Sequence, residues 1–446
     1  MPQERNKLSG RVKRYAKVTV KMAGVGARLA GEKYLRAKPG RTTAAAELRA
    51  ALGGLKGPLM KVAQLLATIP DIVPPEYAAE FSQLQADAPS MGWPFVKRRM
   101  AAELGPDWER KFKSFTREAY AAASLGQVHR AETLDGRKIV CKLQYPDMQS
   151  AVAADLRQLK LFMAIFERYD RAVSTQKVQQ EIADRLHEEL DYRREAKHIA
   201  LYRTMLGGVT GVDVPEVIGT LSTERLLAMD WLDGERFVDA AKRGKRDRNM
   251  IAMHMFQAWY APLYRYGIIH GDPHMGNYTV RRDNSINLLD FGCIRIFQPR
   301  LVAGVIRLYR ALIADDLDQA VAAYEAWGFE NPSKQLIEVL NIWAKFIYAP
   351  ILEDRSRLIE ETNSGFYGRA TANKVHAELR KLGGVVIPRE FVFMDRAAVG
   401  LGSVFLRLRA EINWHRMFHG LVDDFDLEAL TYRQTDLLLE TGLPLP

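Results

Sequence analysis

The chain has very little cysteine and no long apolar run. Cys141 and Cys293 are its only two cysteines in 446 residues, too few for a disulfide framework or a cysteine-ligated zinc cluster. A reducing compartment is therefore expected. No stretch reaches the ~18 uninterrupted apolar residues that a membrane span needs, and the first ten residues hold no apolar signal core. Low-complexity tracts and internal repeats are absent too. Zinc-finger spacing and an aromatic-and-basic RNA-binding signature are also lacking, so no nucleic-acid partner is expected. With 48% hydrophobic and 26% charged residues, the remaining picture is an ordinary cytoplasmic globular chain of two or three structural units.

The net charge of +10 is unevenly spread. Residues 1–41 carry twelve Lys or Arg against Glu4 and Glu32, which leaves the rest of the chain near neutrality. Such a segment suits peripheral attachment to an anionic membrane surface, where each basic group contributes about 1 kcal/mol; it suits a solvated arm equally well. A second basic run, Lys242 to Arg248, reads as an exposed loop that serves solubility.

The strongest local signal is His270-Gly271-Asp272-Pro273-His274-Met275-Gly276-Asn277, followed by Leu289-Asp290-Phe291-Gly292. Asn277 follows Asp272 by five positions and Asp290 follows it by eighteen. Phosphoryl transfer from ATP needs oxygen ligands for Mg2+ and a carboxylate that holds the attacking group. Protein kinases supply these from a catalytic loop and a DFG turn at similar spacing. Asp272 is accordingly the candidate base, and Asn277 and Asp290 are the candidate metal ligands.

Upstream, residues 42–92 follow a helical pattern, with Leu59, Val62, Leu65, Leu66 and Ile69 on one face. Lys61 and Gln64 share another face, which spacing alone assigns to solvent. After Trp108 the pattern turns to strands: one holding Phe112 and Phe115, one over Gln127 to Glu132, and one over Arg137 to Leu143, with a hairpin turn at Asp135-Gly136. Between the first two lies Ala121-Ala122-Ala123-Ser124-Leu125-Gly126, in the place of a kinase glycine-rich loop. Its small side chains let backbone approach phosphates, and its alanines make it stiffer than glycine would. Lys142, on the third strand, stands where a kinase keeps its phosphate-holding lysine.

Helices are expected over 151–166 and from Lys177 to about Tyr202. Glu188, Asp191 and Glu195 fall on one face of the second by their spacing. Strands over Val212 to Val217 and Glu224 to Met229 lead to Asp230-Trp231-Leu232-Asp233-Gly234, which reads as an adenine-binding hinge through the backbone of Asp230 and Leu232. From Arg300 onward the helices, with Trp327 and Trp414, read as core without chemistry of their own.

Together these motifs closely resemble the UbiB/ADCK family of atypical, protein-kinase-like proteins. Ala121 to His129 matches that family's alanine-rich loop, Glu189-Leu190-Asp191 its ExD motif, and Glu195 the ion-pair glutamate that holds Lys142. Lys61-Val62-Ala63-Gln64 is similar to its KxGQ motif, with Ala63 in place of glycine. The resemblance implies an α+β, two-lobed kinase-like fold with an N-terminal helical extension and a largely helical C-terminal lobe. Its expected divisions are a basic segment 1–41, a helical extension 42–110, an N-lobe 111–233 with inserted helices, and a C-lobe 234–446. It implies binding of ATP and Mg2+, with Ala121, Ala122, Ala123, Ser124, Gly126 and Lys142 around the phosphates. Lys61, Gln64, Glu189 and Asp191 would regulate access and obstruct protein substrates. The activity implied is an atypical kinase or slow ATPase in ubiquinone or other isoprenoid-lipid metabolism, with a quinone-precursor or isoprenoid lipid as partner. Two other readings stay open: a small-molecule phosphotransferase of the aminoglycoside- or choline-kinase kind, and a non-catalytic, ATP-gated lipid-binding scaffold.

Overall fold

The computed structural model describes residues 91–123, 125–146, 148–150, scattered positions between 152 and 184, and residues 186–361, 368–382 and 388–446. The basic segment 1–41, the helical extension as far as residue 90 with Lys61 and Gln64, Ser124, and most of the helix expected over 151–166 lie outside the described residues. Two compact units divide the chain: one reaches to Gly136 and resumes over Val140–Leu190, and the other holds Arg137–Ile139 and Asp191–Pro446.

In the first unit, helix α1 (Trp93–Leu104) precedes the strands β1 (Phe112–Phe115), β2 (Ala121–Ala123), β3 (Gly126–Thr133) and, from Val140 on, β4 (Lys138–Gln144). The three expected strands are present. Trp108, Phe112 and Phe115 meet edge to face with centroids 5.2–6.1 Å apart, which fixes β1 against its neighbours. Arg99 of α1 donates from Nε to the carbonyl of Gln144 at 3.1 Å and from Nη2 to that of Tyr145 at 3.3 Å, tying the helix to the end of β4.

The second unit begins at α2 (Tyr192–Leu206). Strand β5 (Val212–Asp213), β6 (Leu226–Asp230), β7 (Glu235–Arg236), the short α3 (Phe237–Ala240) and the long α4 (Lys245–Tyr266) follow. Then come β8 (Ile268–His270), β9 (Tyr278–Val280), β10 (Ile286–Leu288) and β11 (Ile294–Ile296). β10 pairs parallel with β5 and antiparallel with β9, while β8 pairs antiparallel with β11. Gly267 ends α4 in the left-handed region at φ 67°, where a Cβ would be strained, and so turns the chain directly into β8. Buried Gln434 holds that corner by donating from Nε2 to the carbonyls of Tyr266 (2.7 Å) and Phe297 (2.9 Å).

The remainder is helical: α5 (Pro299–Ala314), α6 (Leu317–Ala326), α7 (Lys334–Tyr348), α8 (Arg369–Lys381), α9 (Arg389–Leu408), α10 (Trp414–Val422) and α11 (Leu427–Thr441). Small two-residue strands β12 (Arg357–Leu358) and β13 (Glu411–Ile412) pair beside them. The result is a kinase-like α+β fold with a helical C-terminal region, and no helix among the described residues is long and apolar enough to cross a membrane.

Two expectations need correction. The helix expected through Tyr202 is interrupted at Leu190-Asp191, because Asp191 takes the N-cap position of α2 and accepts from the N–H groups of Arg193 and Arg194 at 3.0 Å each. Glu188, Asp191 and Glu195 therefore do not share one continuous helical face. The basic run 242–248 is not simply a solvated loop either. Arg243 bonds Glu235, Asn284 and the carbonyl of Arg281, and α4 begins at Lys245.

Candidate phosphoryl-transfer site

The second unit gathers Asp272, Asn277, Asp290 and Glu195 around two short strand ladders. The pairing of Leu288 with Tyr278 sets the chain before β9 beside the chain after β10, and the N–H of Leu289 donates to the carbonyl of Asn277 at 2.8 Å. Asn277 and Asp290 are thus brought to the same end of the ladder. Asn277 Nδ2 donates to the carbonyl of Asp272 at 3.1 Å and to its carboxylate Oδ2 at 3.0 Å. Those two acceptors fix which way the amide faces and leave its Oδ1 for a ligand.

Buried histidines hold the DFG backbone. His270 Nδ1 accepts from the N–H of Asp272 at 3.1 Å, so its proton sits on Nε2, which donates to the carbonyl of Asp290 at 2.7 Å. Burial pushes the His270 pKa below its ordinary 6.5, against weaker opposing contributions from the Asp290 carbonyl and from the Asp272 and Asp290 carboxylates. His198, one turn beyond Glu195 on α2, donates from Nδ1 to the carbonyl of Phe291 at 2.9 Å. Glu195, itself buried, accepts from the N–H of Phe291 at 3.4 Å, a long bond. The ring of Phe291 is fully buried against Tyr202 at 5.3 Å.

Helix α9 packs against the candidate catalytic loop. Arg396 Nη2 lies 3.9 Å from Asp272 Oδ1, and the Arg295 guanidinium sits 5.0 Å over the Phe393 ring. A Cβ on Gly400 would stand 2.4 Å from Pro273 Cγ, so only glycine lets the helix come this close. Arg396 and His198 escaped the sequence reading. The spacing of His198 from Glu195 carried a usable signal, since residues three apart share a helix face. Arg396 has no local pattern that marks it.

The hinge stretch is also anchored. The Asp230 carboxylate accepts from Arg137 Nε at 2.6 Å and from the N–H of Glu216 at 3.1 Å, and the N–H of Trp231 donates to the carbonyl of Lys138. Asn287 Nδ2 donates to the carbonyl of Asp233 at 3.0 Å, which couples this stretch to β10. The N–H of Leu232 has no hydrogen bond among the described residues.

In the first unit the alanine stretch is a strand. Ala121, Ala122 and Ala123 pair with Val128, Gln127 and Gly126, so the stretch expected as a loop is strand paired antiparallel to β3. Leu125 is buried there and its carbonyl accepts from the N–H of Tyr145 at 3.0 Å. Gln127 accepts from the N–H of Met91 at 2.7 Å and donates to His129 Nε2 at 2.8 Å, while His129 Nδ1 donates to the carbonyl of Thr116. Burial lowers the His129 pKa as well, more than the Thr116 carbonyl raises it. Lys142 is half-buried on β4 between fully buried Cys141 and Leu143. Glu189 is half-buried at the end of the helical stretch 186–189, Leu190 forms the turn, and Asp191 serves as the N-cap.

The Asn277 amide oxygen and the Asp290 carboxylate form a hard-oxygen donor pair, which fits Mg2+ better than a soft transition metal. Their donor chemistry fits Mg2+.

Residues 83–324 match the family model described as the ABC1 atypical kinase-like domain. The chain is 27% identical over 340 residues to AarF domain-containing protein kinase 1 of Xenopus tropicalis, covering 75% of this chain and 62% of that protein. It is 31% identical over 398 residues to the uncharacterised protein Rv0647c of Mycobacterium tuberculosis, covering 85% and 78%. The chain thus spans less than two thirds of the frog relative. The solved complex of Rv3197 with erythromycin, also from Mycobacterium tuberculosis, superposes with a TM-score of 0.61 at 24% identity, over 85% of this chain and 96% of that one. That likeness concerns the fold.

Proposed function

Since the chain belongs to the ABC1 atypical kinase-like family, we propose that it binds Mg2+-ATP and passes the γ-phosphoryl group to water or a small lipid-derived hydroxyl. The observation that carries this is the Asn277 amide, locked on Asp272 by two hydrogen bonds with its oxygen left for a metal, at the same ladder end as Asp290. Mg2+, when bound, offsets phosphate charge. Asn277 and Asp290 would hold it, and Lys142 and the alanine hairpin would hold the phosphates. Asp272 orients the attacking hydroxyl and takes its proton as the bond to ADP breaks. Glu195 positions the DFG turn through Phe291. The N–H of Leu232 and the backbone of Asp230 receive the adenine.

A small acceptor is favoured over a protein by the resemblance of Lys61 and Gln64 to an access-blocking motif and by the stiff alanine hairpin in place of glycines. The basic segment 1–41 would bring the site to an anionic membrane, where isoprenoid or quinone-precursor lipids reside. ATP turnover by the full chain, with and without anionic liposomes carrying a prenylated phenol, tests the reading. Turnover that rises with the liposomes supports it. Stimulation by an aminoglycoside or choline instead would reassign the acceptor, and no turnover under any condition would favour an ATP-gated scaffold.

A further inference from the structure

The helical part of the second unit borders a half-open cavity that the nucleotide reading leaves unused. It opens about 120 Å³ to the centres of water-sized spheres, against ~10–15 Å³ for a single water on that measure. Its walls are aromatic and aliphatic side chains from α4, α5, α7, α9 and α10, among them Trp343, Met394 and Ala398. Among the described residues Asp395 is the one charged residue in the lining, and Trp343 Nε1 donates to its carboxylate. No lysine or arginine among the described residues lines the cavity.

Three phenols interrupt the apolar wall. Tyr260 and Tyr264, one turn apart on α4, stack at 6.1 Å, and Tyr348 joins them from α7. Tyr348 donates its hydroxyl to the carbonyl of Val305 at 2.9 Å. Burial pushes the phenols of Tyr260 and Tyr264 upward, and neither is relieved by a hydrogen bond. All three tyrosines line the same cavity. The Tyr260 and Tyr264 hydroxyls both belong to residues that line the open space, so a ligand oxygen there can accept from them.

We propose that this cavity is a binding site for a neutral, largely apolar small molecule with one hydrogen-bond acceptor, a carbonyl or ether oxygen directed at Tyr260 and Tyr264. The lining excludes anions, since it offers a carboxylate and no cation. Position adds meaning to the site. Helix α9 lines the cavity with Met394 and Ala398 and meets the catalytic loop with Arg396 and Gly400. One helix therefore separates the two.

The inference goes beyond the nucleotide reading, and its test needs no ATP. Three probes of matched shape are titrated into the full chain by calorimetry: 4-butylacetophenone, 1-butyl-4-ethylbenzene and 4-butylbenzoate. The ketone should bind at least about 5-fold tighter than the hydrocarbon, a difference of about 1 kcal/mol, and the benzoate weakest. Tyr260→Phe with Tyr264→Phe should erase the ketone's advantage and keep hydrocarbon binding. Ala398→Leu, which fills the cavity, should abolish binding of both neutral probes. The proposal is overturned if no probe binds up to its solubility limit, if the benzoate binds best, or if the double Phe variant keeps the ketone preference. The Phe pair preserves ring packing, so it decides the matter even if Ala398→Leu fails to fold.

Discussion

His270 Nε2 donates to the main-chain carbonyl of Asp290 at 2.7 Å, while its Nδ1 accepts from the N–H of Asp272. One neutral imidazole thus spans the catalytic loop and the DFG turn, and protonating it would destroy the acceptor on Nδ1. Its native pKa lies below 6.5, so the unfolded chain binds more protons than the folded one as pH falls through that value. Its contribution to stability is complete above about pH 6.5 and is lost on acidification toward the lowered native pKa. His129 adds a share of the same sign. Melting temperature should fall from about pH 6.5 downward, with a slope of at most ~1.4 kcal/mol per pH unit for each histidine. His270→Asn should flatten that acid limb in thermal melts.

Arg396 stands 3.9 Å from Asp272, both side chains being about a quarter exposed. Solvent screening moderates the attraction, yet the charge sits beside the carboxylate proposed to orient the acceptor. Arg396→Gln should lower kcat about 10-fold, equivalent to ~1.4 kcal/mol of barrier, while nucleotide affinity stays within about 2-fold. Steady-state turnover with parallel binding measurements separates the two effects.

Gly400→Ala tests the fit of α9 on the loop. The new methyl group meets Pro273 at 2.4 Å, so helix or loop must move, at a cost of about 1–3 kcal/mol. Denaturant unfolding should show that loss, and turnover should fall with it because Pro273 follows Asp272 directly.

Asp191→Ala removes the N-cap of α2. The expected loss is about 1 kcal/mol, and with it some order in Glu195 and His198 on the same helix. Hydrogen exchange at Arg193 and Arg194 should quicken in this variant. Unchanged protection there would contradict the capping role.

The grouping of Asp272, Asn277 and Asp290 was legible because they lie close together in sequence, and short loops and ladders hold such residues near one another. The strands bearing Phe112, Gln127 and Lys142 were legible by alternation and by the Asp135-Gly136 turn. Strand β2 was not: alanine has low strand propensity, and its pairing is imposed by β3. Asp191 was misread because a run of acids mimics helical periodicity, whereas its cap depends on where the chain enters α2. Arg396 and Gly400 act only through the packing of α9 on a loop far away in sequence. Trp327 and Trp414 read as core, and a core reading carries no information about a space left open between the helices that hold them.

The central claim, a metal-dependent nucleotide site on Asn277 and Asp290, is tested most directly by ATP binding measured with and without Mg2+ in the full chain and in Asp290→Asn. Mg2+-dependent affinity should be present in the former and lost in the variant, with circular dichroism unchanged. Equal affinity in the two would contradict the account.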